Sequence, residues 1–189
     1  SPMSRGLGDV YKRQDQCEKC GKTLSPTELV NPKSTLSGST PVLKPTTLWY
    51  LPMGRHEAWL REYIVEGKLD GQPHHDPKTW KAHVLGQCRS WIEGGLESRA
   101  MTRDLDWGVP VPLEGAEGKV LYVWLDAPIG YMASHQVACQ KSGDDWDAYW
   151  NAGDHGTELY HFIGKDIVRF HTLFWPALLH AADFRIPTG

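Results

Sequence analysis

The chain has 189 residues, of which 40% are hydrophobic, and this is enough for one large domain or two small ones. Its net charge of −3 excludes a general electrostatic attraction to nucleic acid, so we expect no DNA partner. The longest apolar run, residues 174–179, contains a proline and is too short to cross a bilayer, so we expect no membrane partner.

Residues 1–14 match no pattern in the rest of the chain. They are rich in Ser, Gly, Arg and Lys and have no sustained apolar period. We interpret them as a foreign or disordered leader and exclude them from the fold.

Residues 15–45 carry a Cys-x-x-Cys pair, Cys17 and Cys20, in a segment rich in Pro, Ser, Thr and Gly. Two residues between the thiolates let both bind one ion. A structural Zn²⁺ needs four ligands, and only two have this spacing, so the pair by itself is weak evidence for a metal site. Cys88 and Cys139 have no partner two residues on, and four cysteines without a dense framework are typical of a reducing cytoplasm.

Two amphipathic helices are predicted over residues 57–67 and 78–92. The apolar stripe of the second helix ends at a pair of glycines and consists of Trp80, Val84, Cys88, Trp91 and Ile92. The loop between the helices holds His74 and His75, and because nothing in the sequence converges on them we expect a solvated loop.

A strand is predicted over residues 120–125, with Tyr122, Trp124 and Asp126 on one face and Pro128 ending it. Shortly before it, Arg103 offers a planar guanidinium that could bind a carboxylate or a phosphate. From the residues alone, a surface arginine paired with Asp104 or Asp106 is the simpler interpretation.

A second strand is predicted over residues 158–163, with Leu159, His161 and Ile163 on one side. A helix follows, because apolar residues recur with a helical period: Ile167, Phe170, His171, Phe174, Trp175 and Leu178. We expect Pro176 to loosen the bond to Thr172 and kink this helix. A strand, a glycine, an acid and a helix form half of a βαβ unit, whose ligands bind at the carboxyl end of the strand. By pattern alone, Gly164 and Asp166 could equally be ligand-binding residues at this strand end, or a strand-ending glycine and a helix-capping aspartate.

Three blocks of the chain resemble the methionyl-tRNA synthetase family of class I aminoacyl-tRNA synthetases. They are FIGKDI followed by FHTLFWPA at 162–177, YVWLDAPIGYM at 122–132, and the Cys17/Cys20 pair. The resemblance implies an α/β fold, part of a class I Rossmann-type catalytic domain with a zinc-knuckle and helical connective insertion. The insertion would occupy residues 15–118, and the start of the second Rossmann half would occupy residues 119–189.

The resemblance also implies roles for individual residues. Gly164 and Asp166 would bind the adenosine of ATP, Arg103 would be a catalytic residue at the edge of the site, and Cys17 and Cys20 would bind Zn²⁺. The methionine side chain would be surrounded by Trp124, Ala127, Pro128, Tyr131, Ile167, His171 and Trp175. Without the resemblance, the aromatic members of this set would be interpreted as core residues.

The function implied is that of an internal fragment of a cytoplasmic methionine–tRNA ligase. Such an enzyme forms methionyl-adenylate from methionine and ATP with Mg²⁺ and transfers the methionyl group to tRNA(Met). Because two signature motifs of the family are not found in the chain, we expect these 189 residues alone to be inactive. Two alternatives stay open: a class I synthetase for leucine, isoleucine or valine, and a non-catalytic zinc-knuckle module that binds RNA or protein.

Overall fold

The computed structural model describes residues 30–34, 36–153 and 156–189. The chain separates into two units, residues 1–47 and residues 48–189. In the described part of the first unit there is no helix or strand, and backbone hydrogen bonds close a turn between Ser34 and Ser39. The proposed leader, residues 1–14, and the Cys17/Cys20 pair lie outside the described residues.

The second unit begins with strand β1 and a helical segment. β1 spans Tyr50–Leu51, and a 3₁₀ turn at Met53–His56 leads into α1, Glu57–Arg61. The helix continues as a π-helical turn over Glu62–Glu66 and ends at Gly67, whose left-handed φ of 69° is readily adopted by glycine. The helix predicted over residues 57–67 is therefore confirmed.

The helix α2 spans Ala82–Glu93 and follows a 3₁₀ turn at Pro77–Thr79. The Asp76 side chain caps this turn by accepting a hydrogen bond from the Lys78 N–H at 2.9 Å. The predicted apolar stripe is confirmed, since Cys88 and Ile92 are completely buried and its other members are partly buried. The helix begins later than residue 78 because the proline-initiated turn comes first.

Strands among the described residues are short and pair in three antiparallel couples. β1 pairs with β4, Arg99–Ala100, and β2, Lys68–Leu69, pairs with β3, Gln72–Pro73. β5, Thr102–Asp104, pairs with β6, Lys119–Leu121, with Arg103 opposite Val120. The described chain is thus an α/β structure of helices and small sheets.

The strand predicted over residues 120–125 is wrong beyond Leu121. The chain turns at Tyr122 into a short helix, α3, Val123–Asp126. Pro128 then precedes the long helix α4, Ile129–Ser142, which is followed by α5, Trp146–Trp150. The helical turn buries Leu125 and packs the Trp124 ring against Phe170, so tertiary packing overrides the β preference of these residues.

The strand predicted over residues 158–163 is not formed, although its alternation is correct. Leu159, His161 and Ile163 are half-buried, whereas Phe162 between them is 99% exposed. The Gly189 N–H donates to Leu159 O at 3.4 Å, and the His161 N–H donates to Gly189 O at 2.8 Å. These two hydrogen bonds have the pattern of a parallel strand pair, but the paired stretch is too short to count as a strand.

The helix predicted from Ile167 onward is confirmed, with an irregular middle. A 3₁₀ turn at Lys165–Ile167 is followed by a π-helical turn at Phe170–Phe174 and by α6, Trp175–Ala181. The Trp175 N–H bonds to Phe170 O, five residues back. Pro176 has no N–H to give to Thr172, and the wide turn lies immediately before it.

The core of the second unit joins residues from both sides of residue 118. Leu60, Ile64 and Ile92 are buried in one cluster with Leu173 and Trp175. The Cys88 thiol donates to Thr172 Oγ1 at 3.4 Å across this core. The boundaries at 15–118 and 119–189 stay a prediction. No helix of the described residues is long and apolar enough to span a membrane.

The expectation of a solvated loop at His74 and His75 is wrong. His74 Nε2 lies 3.0 Å from Pro187 O, and the His75 ring stacks on Trp80 with 5.4 Å between centroids. Both His75 nitrogens are buried without a hydrogen-bond partner, and burial lowers the His75 pKa to about 4, with the charge of His74 adding to the effect. The contact of His74 with Pro187 spans 113 residues, so local pattern does not reveal it.

Candidate active site

The helical segment from Ile167 to Trp175 supplies one wall of the candidate site. Ile167, His171 and Trp175 are spaced by four residues and therefore share a helical face. His171 is 7% exposed and Trp175 is 2% exposed, while Ile167 in the preceding 3₁₀ turn is half-buried. This wall agrees with the prediction from helical spacing.

Four rings meet at this wall. They belong to Tyr131 of α4, His161, His171 and Trp175. The Tyr131 centroid lies 5.5 Å from His161, 5.9 Å from His171 and 6.5 Å from Trp175. Tyr131 is 44% exposed, so the ring cluster opens to solvent on the Tyr131 side while Trp175 closes the other side.

Hydrogen bonds fix which nitrogen of His171 carries the proton. His171 Nδ1 lies 3.1 Å from Ile167 O, and because a carbonyl can only accept, Nδ1 must donate. In the neutral ring Nε2 is then an acceptor, so the Tyr131 hydroxyl, 3.0 Å away, donates to it. The Tyr131 oxygen therefore presents lone pairs, and not its proton, to anything else that approaches.

The same logic applies to His161. The indole Nε1–H of Trp175 can only donate, and it lies 3.1 Å from His161 Nε2, which must accept. Burial and the nearby His171 lower the His161 pKa to about 4. Burial also lowers the His171 pKa, although its bond to Ile167 opposes the shift. At neutral pH the cluster is therefore uncharged.

Such a cluster is suited to an uncharged, polarisable side chain. Ring edges make favourable contacts with sulfur, and neutral imidazoles present no charge that a ligand would have to balance. An ionised side chain would have to lose its hydration without a counter-charge among these four rings.

The other residues predicted around methionine lie on α3 and at its junction with α4. The Trp124 ring packs on Phe170, with centroids 5.4 Å apart. Ala127 is the C-terminal flanking residue of α3, and Pro128 is the residue before α4. Phe170 meets His171 edge to face, with 5.6 Å between the ring centroids, so Trp124 contacts the cluster through Phe170.

Gly164 and Asp166 lie at the exposed start of the helical segment. A Cβ at Gly164 would meet nothing within 4 Å. Gly164 precedes the 3₁₀ turn, which has no side-chain cap, so the alternative role of Asp166 as a helix cap does not apply. Among the described residues, no hydrogen bond or ion pair engages the Asp166 carboxylate, which is exposed to solvent.

Arg103 lies outside the ring cluster, on strand β5 of the β5–β6 pair. Its guanidinium stacks over the Tyr122 ring at 4.1 Å, and its Nη1 donates to Thr102 O at 2.8 Å. Asp104, one of the partners considered for it, pairs with Lys119. Arg103 is therefore part of a planar stack, with a backbone-fixed orientation.

No group of three or more His, Cys, Asp or Glu side chains that could hold a metal ion is found among residues 30–34, 36–153 and 156–189. Cys88 and Cys139 are buried as free thiols, and burial raises the pKa of both. The predicted Zn²⁺ ligands, Cys17 and Cys20, lie outside these ranges.

His161 is the residue of the cluster that sequence analysis did not select as a site residue. Its signal was present, since alternation set it on the inward side of residues 159–163. What the sequence lacked was the contact with Trp175, fourteen residues further on.

The model of the family "tRNA synthetases class I (M)" matches residues 7–189. The chain belongs to this family. The matched range begins within the segment that sequence analysis set apart as residues 1–14. Family membership bears out the resemblance drawn from the three sequence blocks.

Curated relatives in this family carry the name methionine–tRNA ligase. The chain is 54% identical over 167 residues to the one from Bacteroides fragilis, covering 88% of this chain and 22% of the relative. It is 52% identical over 174 residues to the one from Porphyromonas gingivalis, covering 92% of this chain and 24% of the relative. The chain therefore spans less than a quarter of the length of these relatives.

Solved structures share the fold. The methionyl-tRNA synthetase of Mycobacterium tuberculosis bound by methionyl-adenylate superposes with a TM-score of 0.58 at 22% identity, over 93% of this chain and 31% of that one. The free enzyme from the same organism gives 0.58 at 23% identity, over 92% of this chain and 32% of that one. These similarities support a class I synthetase-like α/β fold.

Proposed function

We propose that this chain supplies the methionine pocket and one edge of the adenosine site of a methionine–tRNA ligase. The observation that carries the proposal is the uncharged ring cluster of Tyr131, His161, His171 and Trp175, which suits a thioether. The names of the relatives at 52–54% identity favour methionine over the branched aliphatic amino acids, whose pockets would not need His171 or Tyr131.

The reaction has two steps. A carboxylate oxygen of methionine attacks the α-phosphorus of ATP, and pyrophosphate leaves. A ribose hydroxyl at the 3′ end of tRNA(Met) then attacks the methionyl carbonyl carbon, giving up its proton as AMP leaves. The carboxylate is ionised at neutral pH, so the first step needs no general base and depends on positioning.

Each predicted residue has a part in this proposal. Trp124, Ala127, Pro128, Tyr131, Ile167, His171 and Trp175 enclose the methionine side chain. The Asp166 carboxylate, exposed beside Gly164, accepts hydrogen bonds from the ribose hydroxyls, and Gly164 leaves open space for the nucleoside. Arg103, oriented by Tyr122, binds a carboxylate or phosphate oxygen as the catalytic residue.

Two metals belong to the proposal. Mg²⁺, when bound, would balance charge on the ATP phosphates. Zn²⁺ would be held by Cys17 and Cys20 as half of a structural site, and Cys88 does not fit as a further ligand because it is bonded to Thr172 in the core. We also propose a cytoplasmic location, on the basis of the cysteine pattern.

The test uses residues 15–189 grafted in place of the matching segment of the Bacteroides fragilis ligase. Trp175→Ala or His171→Ala should raise the methionine KM in ATP–pyrophosphate exchange by an amount equivalent to about 1–3 kcal/mol, because a ring of the pocket is lost. The ATP KM should stay within about twofold, since adenosine is bound elsewhere.

Trp107→Ala is the matched control, because this tryptophan is 81% exposed and lies outside the ring cluster. It should change neither KM. An equal loss of affinity for methionine and ATP in the Trp175 and His171 variants would contradict the pocket assignment.

A further inference from the structure

Within the described part of the chain, one side-chain hydrogen bond orients the Trp175 ring. Its side chain is 2% exposed, and its Nε1–H is 3.1 Å from His161 Nε2. An indole is asymmetric, so the position of its N–H distinguishes one ring orientation from the flipped orientation of the same ring. A buried indole N–H without an acceptor is costly, and the bond to His161 therefore selects one orientation.

His161 also touches the other two rings of the cluster. Its centroid lies 5.5 Å from Tyr131 and 5.6 Å from His171. The extended segment 157–164 aims His161 inward because exposure alternates along it, and the backbone is fixed by the bond from the His161 N–H to Gly189 O. His161 is thus located where it can control the shape of the pocket wall.

We propose that His161 is a positioning residue for amino-acid selection: as the neutral Nδ1–H tautomer it accepts the Trp175 indole N–H and fixes the ring against which the thioether packs. This inference rests on the proposed function. His161 acts through Trp175 and need not touch the substrate, which distinguishes it from the residues assigned to the pocket above.

A matched pair of contacts allows a controlled test. Trp150, on α5, donates its indole N–H to His135 Nδ1 at 2.9 Å, and Trp150 is also buried. Like the bond between Trp175 and His161, this is an indole-to-imidazole hydrogen bond within the unit of residues 48–189. Neither Trp150 nor His135 belongs to the ring cluster. Substitutions at His135 therefore report the loss of such a bond without a change in the pocket.

The variants His161→Leu and His161→Gln are made in the grafted ligase, with His135→Leu as the control. His161→Leu removes the acceptor and should raise the methionine KM about tenfold, with kcat within about threefold and the ATP KM unchanged. His161→Gln keeps an acceptor in its side-chain oxygen and should restore the methionine KM to within about threefold of the unsubstituted protein. His135→Leu should lower the melting temperature and leave the methionine KM unchanged.

Nitrogen-15 NMR of the imidazoles in the 189-residue chain gives a readout that does not depend on activity. The His161 ring should be neutral at pH 7, with its proton on Nδ1. A proton on Nε2, or a His161→Leu variant that is folded and has an unchanged methionine KM, would overturn the inference. Equal impairment in His161→Gln and His161→Leu would also overturn it. Absence of methionine-dependent exchange in the unsubstituted graft would instead refute the proposed function, and the inference with it.

Discussion

Arg185 ties the end of α5 to the loop that follows it, and its loss should destabilise the unit of residues 48–189. The guanidinium donates to four carbonyl oxygens: those of Tyr149 at 2.6 Å, Thr157 at 3.0 Å, Ala148 at 3.1 Å and Gly153 at 3.2 Å. Two of these bonds are partly buried and two are exposed. Counting about 1 kcal/mol for each partly buried bond and about 0.5 kcal/mol for each exposed one gives about 3 kcal/mol.

The substitution Arg185→Met keeps the aliphatic stem and removes all four bonds. We expect it to lower the free energy of unfolding by about 3 kcal/mol and the melting temperature by roughly 6–12 °C. Arg185→Lys should recover little of this, because one ammonium group cannot reach four carbonyls spread over the loop. Urea unfolding followed by tryptophan fluorescence measures the difference.

Arg89→Met on the exposed face of α2 is the control for loss of a positive charge, and it should change stability by less than about 0.5 kcal/mol. If Arg185→Met were as mild as Arg89→Met, the four bonds would contribute nothing net, and the loop would be held by its other contacts.

Two other predictions concern histidine and glycine. In the folded chain the pKa values of His75 and His161 are lowered from 6.5 to about 4, so between these pH values the unfolded chain binds more protons. The free energy of unfolding, measured with urea at several pH values, should therefore be highest above about pH 6.5 and fall progressively toward pH 4. A flat profile would contradict both buried environments. Gly67→Ala should lower the free energy of unfolding by more than about 2 kcal/mol, because a Cβ there would overlap the His75 carbonyl and the Pro77 ring. Gly71 also has a positive φ but has open space around it, so Gly71→Ala should cost only about 1 kcal/mol of backbone strain. Equal melting temperatures for the two variants would be inconsistent with this packing.

Sequence periodicity predicted the helices over residues 57–67, over residues 78–92 and from Ile167 onward because their signals are local, whereas it did not predict α4 or α5. The apolar stripe that includes Cys88 and Ile92 is buried as expected, and Gly67 ends its helix in the left-handed conformation. The face shared by Ile167, His171 and Trp175 followed from the same period. These features depend on residues three or four positions apart, which the sequence displays directly.

The strands were predicted less well because their formation depends on partners far along the chain. The residues around Trp124 have β propensity, yet they form a helical turn that packs on Phe170. The alternation around His161 was correct, but only Gly189 and Thr188 offer backbone partners to that segment among the described residues. Separation along the chain likewise concealed the hydrogen bond between Trp175 and His161 and the hydrogen bond between His74 and Pro187 O.

The burial of Cys88 and Cys139 simplifies the chemistry of thiol labelling. The chain has four cysteines, and these two are at most 3% exposed with their pKa values raised, so neither should react quickly with a maleimide under native conditions. Any thiol that is alkylated rapidly must then belong to Cys17 or Cys20. Protection of that signal by added Zn²⁺, and its return with a chelator, would report metal occupancy in the natural sequence without a cysteine-free background.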